Sequence, residues 1–491
     1  MARPRIEYLN AEDRDYVHEQ TVRVLEEVGI GFNTPAAIDL LEEAGAPVDR
    51  ARLTAKLPWE LVERCLATAP REVRLAARDP RHDVVLGDGS LTFCTDGTGT
   101  YMYDELTGVR SEGSAAALRT VMTLFDALPE VDYAWPSISA RDLHPATAGL
   151  EIEAVSLRWL SKHVQDEVRE VAHARPLLEI FEAIAGASMW DRPIFSTIDC
   201  TVAPLQHERD MTEATMELAK AGVPVLVLPM PLTGTTSPIT PLGTAIVNMA
   251  ELLSAVVLFQ LVQPGCPLIS GVGAAAANMR TGDYLCGSPE VALINVICIE
   301  MSRRYGLPVT GSAVTCDAKA SNHQAGAEGM LTGMAGALAG ADSLLAFGLM
   351  DGAETVSLAK TMLDCDTVGA LKRLLRDDPV DEARALAADL REVGIGGHFL
   401  ARRSTRQGTR AGELWQPRLW QRGPVERQAG DGLVRAAREA ALELLRTHEV
   451  PPFDDDVADQ VDDVIEGYAR SVGAPDTRIH WRDVEPLEAH R

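Results

Sequence analysis

The densest group of chemically capable side chains is the run Thr315-Cys-Asp-Ala-Lys-Ala-Ser-Asn-His-Gln324. It follows an apolar segment, residues 308–315, that has the composition of a buried strand. A hydroxyl, a carboxylate, an ammonium and an amide crowded at one strand end are hard to explain by packing, and polar loops on a rigid scaffold tend to carry function. We therefore predict as site residues Thr315, Asp317, Lys319 and Gln324. A solvated loop with an Asn helix cap would contain the same residues.

A second candidate lies at Ser288-Pro289-Glu290, where the residue types are those of a helix start. Ser can cap the helix, Pro fits its first turn, and Glu complements the positive helix end. That structural role alone could explain all three residues. A carboxylate at Glu290 could also attract a cation, because a capping acid can face a site. The preceding Met279-Arg280-Thr281-Gly282 falls on the same presumed active face, so both interpretations of Glu290 stay open.

A glycine motif, Gly271-Val-Gly-Ala-Ala-Ala276, follows another apolar segment and fits the GxGxxA pattern of dinucleotide sites. The continuation fits poorly, because Asn278-Met-Arg-Thr-Gly-Asp283 brings a glycine and polar residues before one full helix has formed. The alternative is that small residues at a strand end leave room for a ligand. A nucleotide-dependent oxidoreductase therefore remains one alternative function.

Several other kinds of chemistry lack their motifs. The eleven histidines offer no second ligand at the i, i+4 spacing of a helical zinc site, so we predict no metal site. The GxSxG nucleophile elbow and the Walker glycine loop are missing from the sequence, which disfavours acyl and nucleotide hydrolysis. Eight cysteines are scattered without a CxxC pair, which argues against a disulfide framework and indicates a reducing compartment.

The candidate residues must be positioned by alternating strands and helices. Continuous apolar runs typical of strands buried on both faces alternate with helical patterns, which predicts a parallel sheet. The predicted strands are 131–139, 193–201, 223–230, 266–273, 308–315 and 343–350, with a less clear one at 159–164. A TIM (β/α)8 barrel of the α/β class closes this set most economically, and a doubly wound open sheet is the alternative. In a barrel the site lies on the loops after the carboxyl ends of the strands.

The chain divides into three predicted parts. Residues 1–125 combine amphipathic helices with short β-like runs and form an α+β extension. Residues 126–376 hold the main part of the barrel, and residues 377–491 hold its final elements and a charged, helical C-terminal region.

Composition excludes several classes of partner. With 46 basic against 72 acidic residues in 491, the formal net charge is −26, which would repel a nucleic acid backbone. The longest apolar runs, such as 223–230, fall short of the roughly 20 residues that a membrane span needs. The polar start of the chain has no signal-peptide pattern, so we expect a cytoplasmic protein with no membrane partner.

Taken together, the loops make the chain resemble the trimethylamine corrinoid-protein methyltransferase family nearly end to end. No single motif is specific, but the ordered set is. The motifs are Val24-Leu-Glu-Glu-Val-Gly29, Arg78-Asp-Pro, Ser139-Ala-Arg-Asp142, Gly222-Val-Pro-Val, Gly271, Gly287-Ser-Pro-Glu290, Tyr305-Gly-Leu-Pro308, Asp317-Ala-Lys319, Gln324-Ala-Gly326, Ala337-Leu-Ala-Gly-Ala341, and Val393-Gly-Ile-Gly-Gly-His-Phe-Leu400 with Thr405-Arg406. The resemblance implies a TIM barrel that moves a methyl group from a methylated amine to Co(I) of a corrinoid carried on a separate small protein.

The sequence departs from that family at Thr315. In the trimethylamine enzymes a pyrrolysine stands two residues before the Asp-Ala-Lys that is Asp317-Ala318-Lys319 here. The chain therefore resembles the pyrrolysine-free branch, whose members demethylate quaternary amines such as glycine betaine, proline betaine or carnitine. Trimethylamine itself becomes a doubtful substrate.

The resemblance also suggests roles for the candidate residues. A quaternary ammonium departs as a neutral tertiary amine, so the protein must mainly desolvate and orient the cation. We assign catalytic roles to Thr315, Asp317 and Glu290, the two acids attracting the cation. The predicted substrate-binding residues are Tyr101, Arg280, Tyr284, Lys319, Gln324 and His398. Tyrosines would offer a cation–π face, and Arg280, Lys319 or His398 would bind a betaine carboxylate. We further expect a homo-oligomer with a cognate corrinoid protein as partner and no cofactor tightly bound to this chain. A barrel that merely binds a methylammonium compound is the remaining alternative.

Overall fold

A computed structural model describes residues 4–97, 99–423 and 432–487. Its centre is a ring of eight parallel strands. They are β1 (Thr92–Thr95), β2 (Tyr133–Ala134), β3 (His163–Glu167), β4 (Phe195–Val202), β5 (Val225–Leu228), β6 (Leu268–Val272), β7 (Val309–Ser312) and β8 (Ser343–Ala346). Each strand pairs with the next, and β8 pairs with β1 from Ser343↔Thr92 to Ala346↔Thr95. The ring is therefore closed, which confirms the TIM barrel and rules out the open doubly wound sheet.

One helix follows each strand. The helices are α1 (Ala115–Ala127), α2 (Ala148–Trp159), α3 (Val171–Ala185), α4 (Arg209–Lys220), α5 (Pro241–Val262), α6 (Pro289–Arg304), α7 (His323–Ala339) and α8 (Leu358–Leu374). By length and composition α5 could cross a membrane, but it is mostly buried inside the protein. It packs against α6 and against the helix Trp59–Thr68, which is the environment of a core helix.

Side chains alternate between the two faces of the barrel strands. Val164, Val227 and Leu344 face outward into the core under the helices. Tyr133, Ile198, Leu226 and Leu345 face inward and fill the barrel. The hairpin of Val73–Leu75 and Val84–Leu86 adds Val73, Leu75 and Leu86 to this interior cluster. Because Ala76 N donates to Pro193 O just before β4, the hairpin closes the amino end, and the site must lie at the carboxyl end.

The N-terminal part contains the predicted helices. They are Ala11–Arg23, which continues as the π-helical turn Val24–Val28, followed by Pro35–Glu43 and Trp59–Thr68. A 3-10 turn, Pro80–His82, which was not predicted, comes after them. Short strands Ile30–Gly31, Val48–Asp49 and Thr54–Ala55 pair beside them, and Ile30–Gly31 also joins Gln206–His207. Both β1 and α1 begin well inside residues 1–125, so barrel elements start before the expected boundary at 126. The reason is that β1 has four residues between glycine turns and is recognisable only by its distant partners.

The C-terminal part covers the outside of the barrel. The last barrel helix, α8, ends at Leu374, so the described residues after 377 contribute helices and no barrel strand. These helices are Glu382–Ala385, Ala387–Val393, Arg403–Arg410, Gly432–Thr447, Asp455–Val472 and the 3-10 turn Trp481–Asp483. Gly432–Thr447 packs on α8 and α1, and Asp455–Val472 packs on α3.

Loops at the carboxyl end form further short strands around the mouth of the barrel. After β1, Tyr101–Asp104 and Val109–Glu112 form a hairpin that joins Leu349–Met350 and Thr355–Val356 from the loop after β8. After β5 and β6, Leu232–Thr233, Ala275–Ala277 and Tyr284–Leu285 form a second small sheet. These two small sheets supply much of the wall that surrounds the candidate site.

Candidate active site at the mouth of the barrel

Asp96 directly follows β1 and places a carboxylate with a raised pKa at the mouth of the barrel. Its Oδ2 accepts a hydrogen bond of 2.6 Å from Thr315 Oγ1, and its Oδ1 accepts one of 3.1 Å from Gly97 N. Burial among protein atoms raises the pKa of Asp96 to about 6, although both hydrogen bonds favour the charged form. Asp96 is therefore mostly ionised at neutral pH and poorly compensated. Asp96 is not among the residues predicted from the sequence, because its segment was assigned to the N-terminal extension.

Thr315 is held in place by an unusual backbone. Val314, the residue before it, has φ of +61°, which a β-branched residue rarely adopts. Val314 N donates to Thr332 Oγ1 at 3.1 Å, and its carbonyl accepts from Lys360 Nζ at 3.3 Å. Lys360 is itself paired with Asp364 at 2.5 Å inside the protein. Strain of this kind persists where the surroundings enforce it, as they do at functional sites, and here it turns the Thr315 hydroxyl toward Asp96.

Tyr284 forms part of the wall on the side of the β6 loop. Its strand pairs with Ala275–Ala277, and its backbone rests on Gly352, where an added Cβ would lie 3.0 Å from Tyr284 O. Burial raises the pKa of Tyr284 far above its usual range, and the negative charges of Asp96 and Asp317 raise this pKa further. The side chain is thus a neutral phenol close to two carboxylates, which brings the predicted residues Tyr284, Thr315 and Asp317 together.

Asp317 has a structural task in addition to its charge. Its Oδ1 accepts hydrogen bonds from Cys286 N at 2.7 Å and Gly287 N at 3.3 Å, in the turn before α6. Its own backbone N–H donates to Glu328 Oε2 at 2.8 Å, and Gln324 Nε2 donates to Glu328 Oε1 at 2.7 Å. Asp317 and Gln324 therefore belong to a hydrogen-bond network that joins the β6 and β7 loops.

The opposite wall combines an aromatic ring with another acid. The Trp135 indole follows β2 and lies against Gly97, where an added Cβ would be 2.2 Å from the ring. Glu167, at the end of β3, accepts from Cys200 Sγ at 3.2 Å and pairs with Arg169 at 2.6 Å. With Asp96 and Tyr284, this mouth is rich in negative charge and aromatic surface, which together favour a small organic cation.

The other predicted residues, Tyr101, Glu290, Arg280, Lys319 and His398, are exposed or make their contacts elsewhere within the described ranges. Arg110 covers the Tyr101 ring at 3.7 Å, and Lys319 pairs with Asp351. Glu290 is exposed in the first turn of α6, which Ser288 caps as predicted by accepting from Val291 N. Arg280 is exposed on the turn that precedes Tyr284–Leu285.

His398 lies exposed between the helices Ala387–Val393 and Arg403–Arg410. Its segment is tied to the end of α8 by Arg373–Glu413 and to the loop before β2 by Arg418–Glu130. Both anchors are at the amino end of the barrel, opposite the mouth, and among the described residues His398 makes no hydrogen bond or ion pair with Asp96 or Thr315.

The glycine motif does not form a dinucleotide site. Gly271 lies within β6, and the residues after it form the strand Ala275–Ala277 instead of a helix. A pyrophosphate would therefore lack the helix N-terminus that the motif normally presents, and the oxidoreductase alternative is wrong. Among residues 4–97, 99–423 and 432–487, no group of three or more His, Cys, Asp or Glu side chains could hold a metal ion.

The fold is a TIM barrel with acidic and aromatic side chains at its carboxyl mouth. A sequence model of the trimethylamine methyltransferase (MTTB) family matches residues 1–473. The chain therefore belongs to this family and is a methyltransferase.

Individual relatives cover almost the whole chain. The trimethylamine methyltransferase of Desulfitobacterium hafniense (strain DSM 10664 / DCB-2) is 29% identical over 467 residues, 93% of this chain and 94% of the relative. The glycine betaine methyltransferase of Desulfitobacterium hafniense (strain Y51) is 27% identical over 476 residues, 96% of this chain and 98% of the relative. Among solved structures, the Methanosarcina barkeri monomethylamine methyltransferase matches with a TM-score of 0.53 over 95% of this chain and 88% of that one. At 11% identity, this likeness concerns the fold alone.

Proposed function

We propose that this methyltransferase moves a methyl group from a quaternary ammonium substrate of the glycine betaine kind to Co(I) of a corrinoid carried by a separate protein. The observation that carries the proposal is the Thr315–Asp96 pair, a hydroxyl and a poorly compensated carboxylate at the position where the family resemblance puts pyrrolysine in trimethylamine enzymes. A relative named glycine betaine methyltransferase, which this chain matches over 96% of its length, supports the choice of substrate class.

A quaternary ammonium cannot donate an N–H hydrogen bond, so its recognition depends on charge and on aromatic faces. At about 5 Å and an effective dielectric constant near 20, one carboxylate contributes on the order of 3 kcal/mol of attraction. Asp96 provides that charge in our proposal, and Trp135 and Tyr284 provide the aromatic faces. The cation would supply the compensation that Asp96 lacks.

Methyl transfer from a quaternary ammonium requires little proton transfer by the protein. One N–CH3 bond breaks, its electron pair stays on nitrogen, and a neutral tertiary amine leaves. The reduced corrinoid supplies the electron pair that takes up the methyl group. Positive charge therefore leaves the nitrogen during the reaction, and a carboxylate beside it favours the bound substrate more than the transition state. We expect Asp96 to contribute mainly to affinity, while rigid orientation of the N–CH3 bond contributes to rate.

The anionic end of a betaine needs a donor at the rim. Of the three predicted donors, Lys319 already pairs with Asp351, and the segment that carries His398 is anchored at the amino end of the barrel. Arg280 is exposed on the turn just before Tyr284, so we assign the carboxylate to Arg280.

The corrinoid partner must reach the same mouth. Ile239 and Met279, 65% and 63% exposed, meet above Gly234, whose added Cβ would lie 2.8 Å and 2.9 Å from them. Both come from the β5 and β6 loops that border the site. We propose this apolar rim as the docking surface of the corrinoid protein, because the cobalt has to approach the substrate methyl from this side.

The test is anaerobic incubation with free Co(I) cobalamin and glycine betaine, carnitine, proline betaine or trimethylamine, followed by the visible spectrum of cobalamin. We expect methylation with one of the quaternary amines and none with trimethylamine. Methylation with trimethylamine alone would contradict the substrate class. Binding of a quaternary amine, measured by calorimetry, without turnover by free or protein-bound corrinoid would favour the non-catalytic alternative.

A further inference from the structure

Two acids, Glu153 and Asp166, line the same cavity next to Trp135. Glu153, on α2, is 2% exposed, and Asp166 belongs to β3. Trp135 Nε1 donates to Asp166 Oδ1 at 2.8 Å, and the backbone N–H of Glu167 donates to the same oxygen at 2.7 Å. The acids have no place in the methyl transfer itself, so their position at the edge of the site calls for another explanation.

The Trp135 side chain and backbone are held from three sides. Asp166 holds the indole N–H, and Gly97 lies against the ring with no room for a Cβ. Thr95 Oγ1 accepts from Trp135 N at 2.8 Å and donates to Trp135 O at 2.5 Å. Because Gly97 is next to Asp96, these contacts fix an aromatic face beside the carboxylate that we assign to the cation.

We propose that the Glu153–Asp166 carboxyl pair is a positioning element that holds the Trp135 indole as an aromatic wall of the cation site. The proposal rests on the proposed function, since it takes the substrate to be an organic cation bound beside Asp96. It assigns a role in substrate binding to Glu153 and Asp166, two residues that do not contact the substrate themselves.

The pair explains why two acids are present where one acceptor would suffice. Adjacent buried carboxylates cannot both ionise at neutral pH, and burial together with the neighbouring charge raises the pKa of Glu153 and of Asp166. Glu153 then keeps a proton and donates it to Asp166. Glu153 Oε2 has no donor within the described structure, as expected for a carboxyl whose own O–H is the donor. The single remaining charge is directed at the Trp135 and Glu167 N–H groups, with the cation Arg169 nearby.

The test uses variants that keep or remove the hydrogen bond from Glu153 to Asp166. Glu153→Gln keeps a donor of the same shape, whereas Glu153→Met removes it and frees Asp166 to turn away from Trp135. Glu151→Gln is the matched control, because Glu151 is buried two residues earlier on α2 but binds Trp481 N and Arg478 instead. The probe is tetramethylammonium chloride, titrated by calorimetry without any corrinoid.

We expect Glu153→Gln and Glu151→Gln to bind tetramethylammonium within about twofold of the wild type. Glu153→Met should bind about tenfold more weakly, which is the range of one cation–π contact. In a Trp135→Phe background, which lacks the indole N–H, Glu153→Met should have no further effect on affinity. This double-mutant cycle separates positioning through Trp135 from general loss of structure.

Equal affinity of wild type and Glu153→Met would overturn the proposal, and so would the same tenfold loss in the Trp135→Phe background. If circular dichroism shows that Glu153→Met does not fold, Trp135→Phe alone decides. The Trp135→Phe protein, whose ring lacks the N–H, should bind tetramethylammonium several-fold more weakly. Unchanged affinity for tetramethylammonium would overturn the positioning role. Failure of the wild-type protein to bind tetramethylammonium would instead overturn the cation site of the proposed function, and this proposal with it.

Discussion

Thr315 Oγ1 and Asp96 Oδ2 are joined by a hydrogen bond of 2.6 Å across 219 positions of sequence. The contact links the loops after the first and seventh strands of the barrel. These strands are not neighbours, since β8 stands between them, so the pair spans part of the mouth. It also sets the electrostatic state of the site, because the hydroxyl donates to a carboxylate whose pKa burial raises to about 6.

Replacing Asp96 with Asn should remove the attraction for the cation while keeping an acceptor for Thr315. We expect affinity for tetramethylammonium to fall about 10- to 100-fold, as one carboxylate at this distance is worth about 1–3 kcal/mol. The value of kcat/KM for the substrate should fall less, because positive charge leaves the nitrogen in the transition state. Calorimetry and the free-cobalamin assay measure the two effects. Asp283→Asn, an exposed acid on the hairpin that carries Tyr284, is the control. Equal losses in both variants would mean that only general charge matters.

The same Asp96→Asn change should stabilise the fold at neutral pH. The pKa of Asp96 is about 6 in the folded protein and about 3.9 in an unfolded chain. Between these pH values the folded state binds more protons than the unfolded chain. The contribution of Asp96 to the free energy of unfolding is therefore fully present below about pH 4 and is lost as the pH rises through 6. At pH 7.5 the ionised carboxylate costs about 1–3 kcal/mol, which the amide avoids.

Thermal unfolding of wild type and Asp96→Asn at pH 7.5 and pH 5 checks this prediction. The variant should melt at the higher temperature at pH 7.5, and the difference should shrink at pH 5 because the wild-type carboxyl then becomes protonated. A constant difference at both pH values would show that the effect does not come from the ionisation of Asp96.

Much of this fold could be predicted from the sequence because most barrel strands are apolar runs between helices. β5 and β6 are buried along their whole length, and both fall within predicted segments. β1 was missed because Thr92–Thr95 is short and its partners, Ser343–Ala346 and Tyr133, lie far away in sequence. Asp96 was missed with it, although an Asp followed by Gly-Thr-Gly after an apolar run was a usable signal.

The candidate site was predictable in part for the same reason. Thr315 and Asp317 follow a strand that could be recognised locally, so the sequence indicated their place at the mouth. His398 entered through the family resemblance, and motif order does not say which end of a barrel a segment reaches. The roles of Glu290, Tyr101 and Lys319 remain predictions, with contacts that favour structural tasks for the last two.

The pH dependence of turnover should follow Asp96, and Thr315 should shift it. We expect kcat/KM to fall below about pH 6, where Asp96 becomes protonated. Thr315→Val keeps the shape but removes the donor that favours the charged form, so the midpoint should move to higher pH. Thr315→Ser keeps the donor and should match the wild type, while Thr315→Phe should block binding. Identical pH profiles for the Val and Ser variants would contradict the assigned role of the hydroxyl.

The buried Lys360–Asp364 pair should matter for both stability and the site. Lys360 Nζ binds Asp364 and the carbonyl of Val314, and Asp364 Oδ2 accepts from Gly348 N at 2.8 Å, so the pair braces the loops after β7 and β8. Lys360→Met leaves a buried uncompensated charge and should cost about 3–5 kcal/mol of unfolding free energy. Adding Asp364→Leu should recover part of the stability but not the activity, since Val314 loses its support. Denaturant unfolding and the free-cobalamin assay separate these outcomes, and recovery of both would show that the pair has no role in placing Thr315.

Arg280 should distinguish substrates by their anionic end. If its guanidinium binds the carboxylate of a betaine at the exposed rim, Arg280→Gln should raise KM for glycine betaine about three- to tenfold, the range of a partly exposed charge pair. Affinity for tetramethylammonium, which has no carboxylate, should stay unchanged, because the cation site at Asp96 is intact. Lys319→Gln is the control at the same rim, since that lysine already pairs with Asp351.

The salt dependence gives a second test of Arg280. A higher sodium chloride concentration should weaken the preference of the wild type for glycine betaine over tetramethylammonium more than it weakens the preference of Arg280→Gln. A similar loss for both ligands in Arg280→Gln would indicate that the turn supports Tyr284 instead of binding the carboxylate.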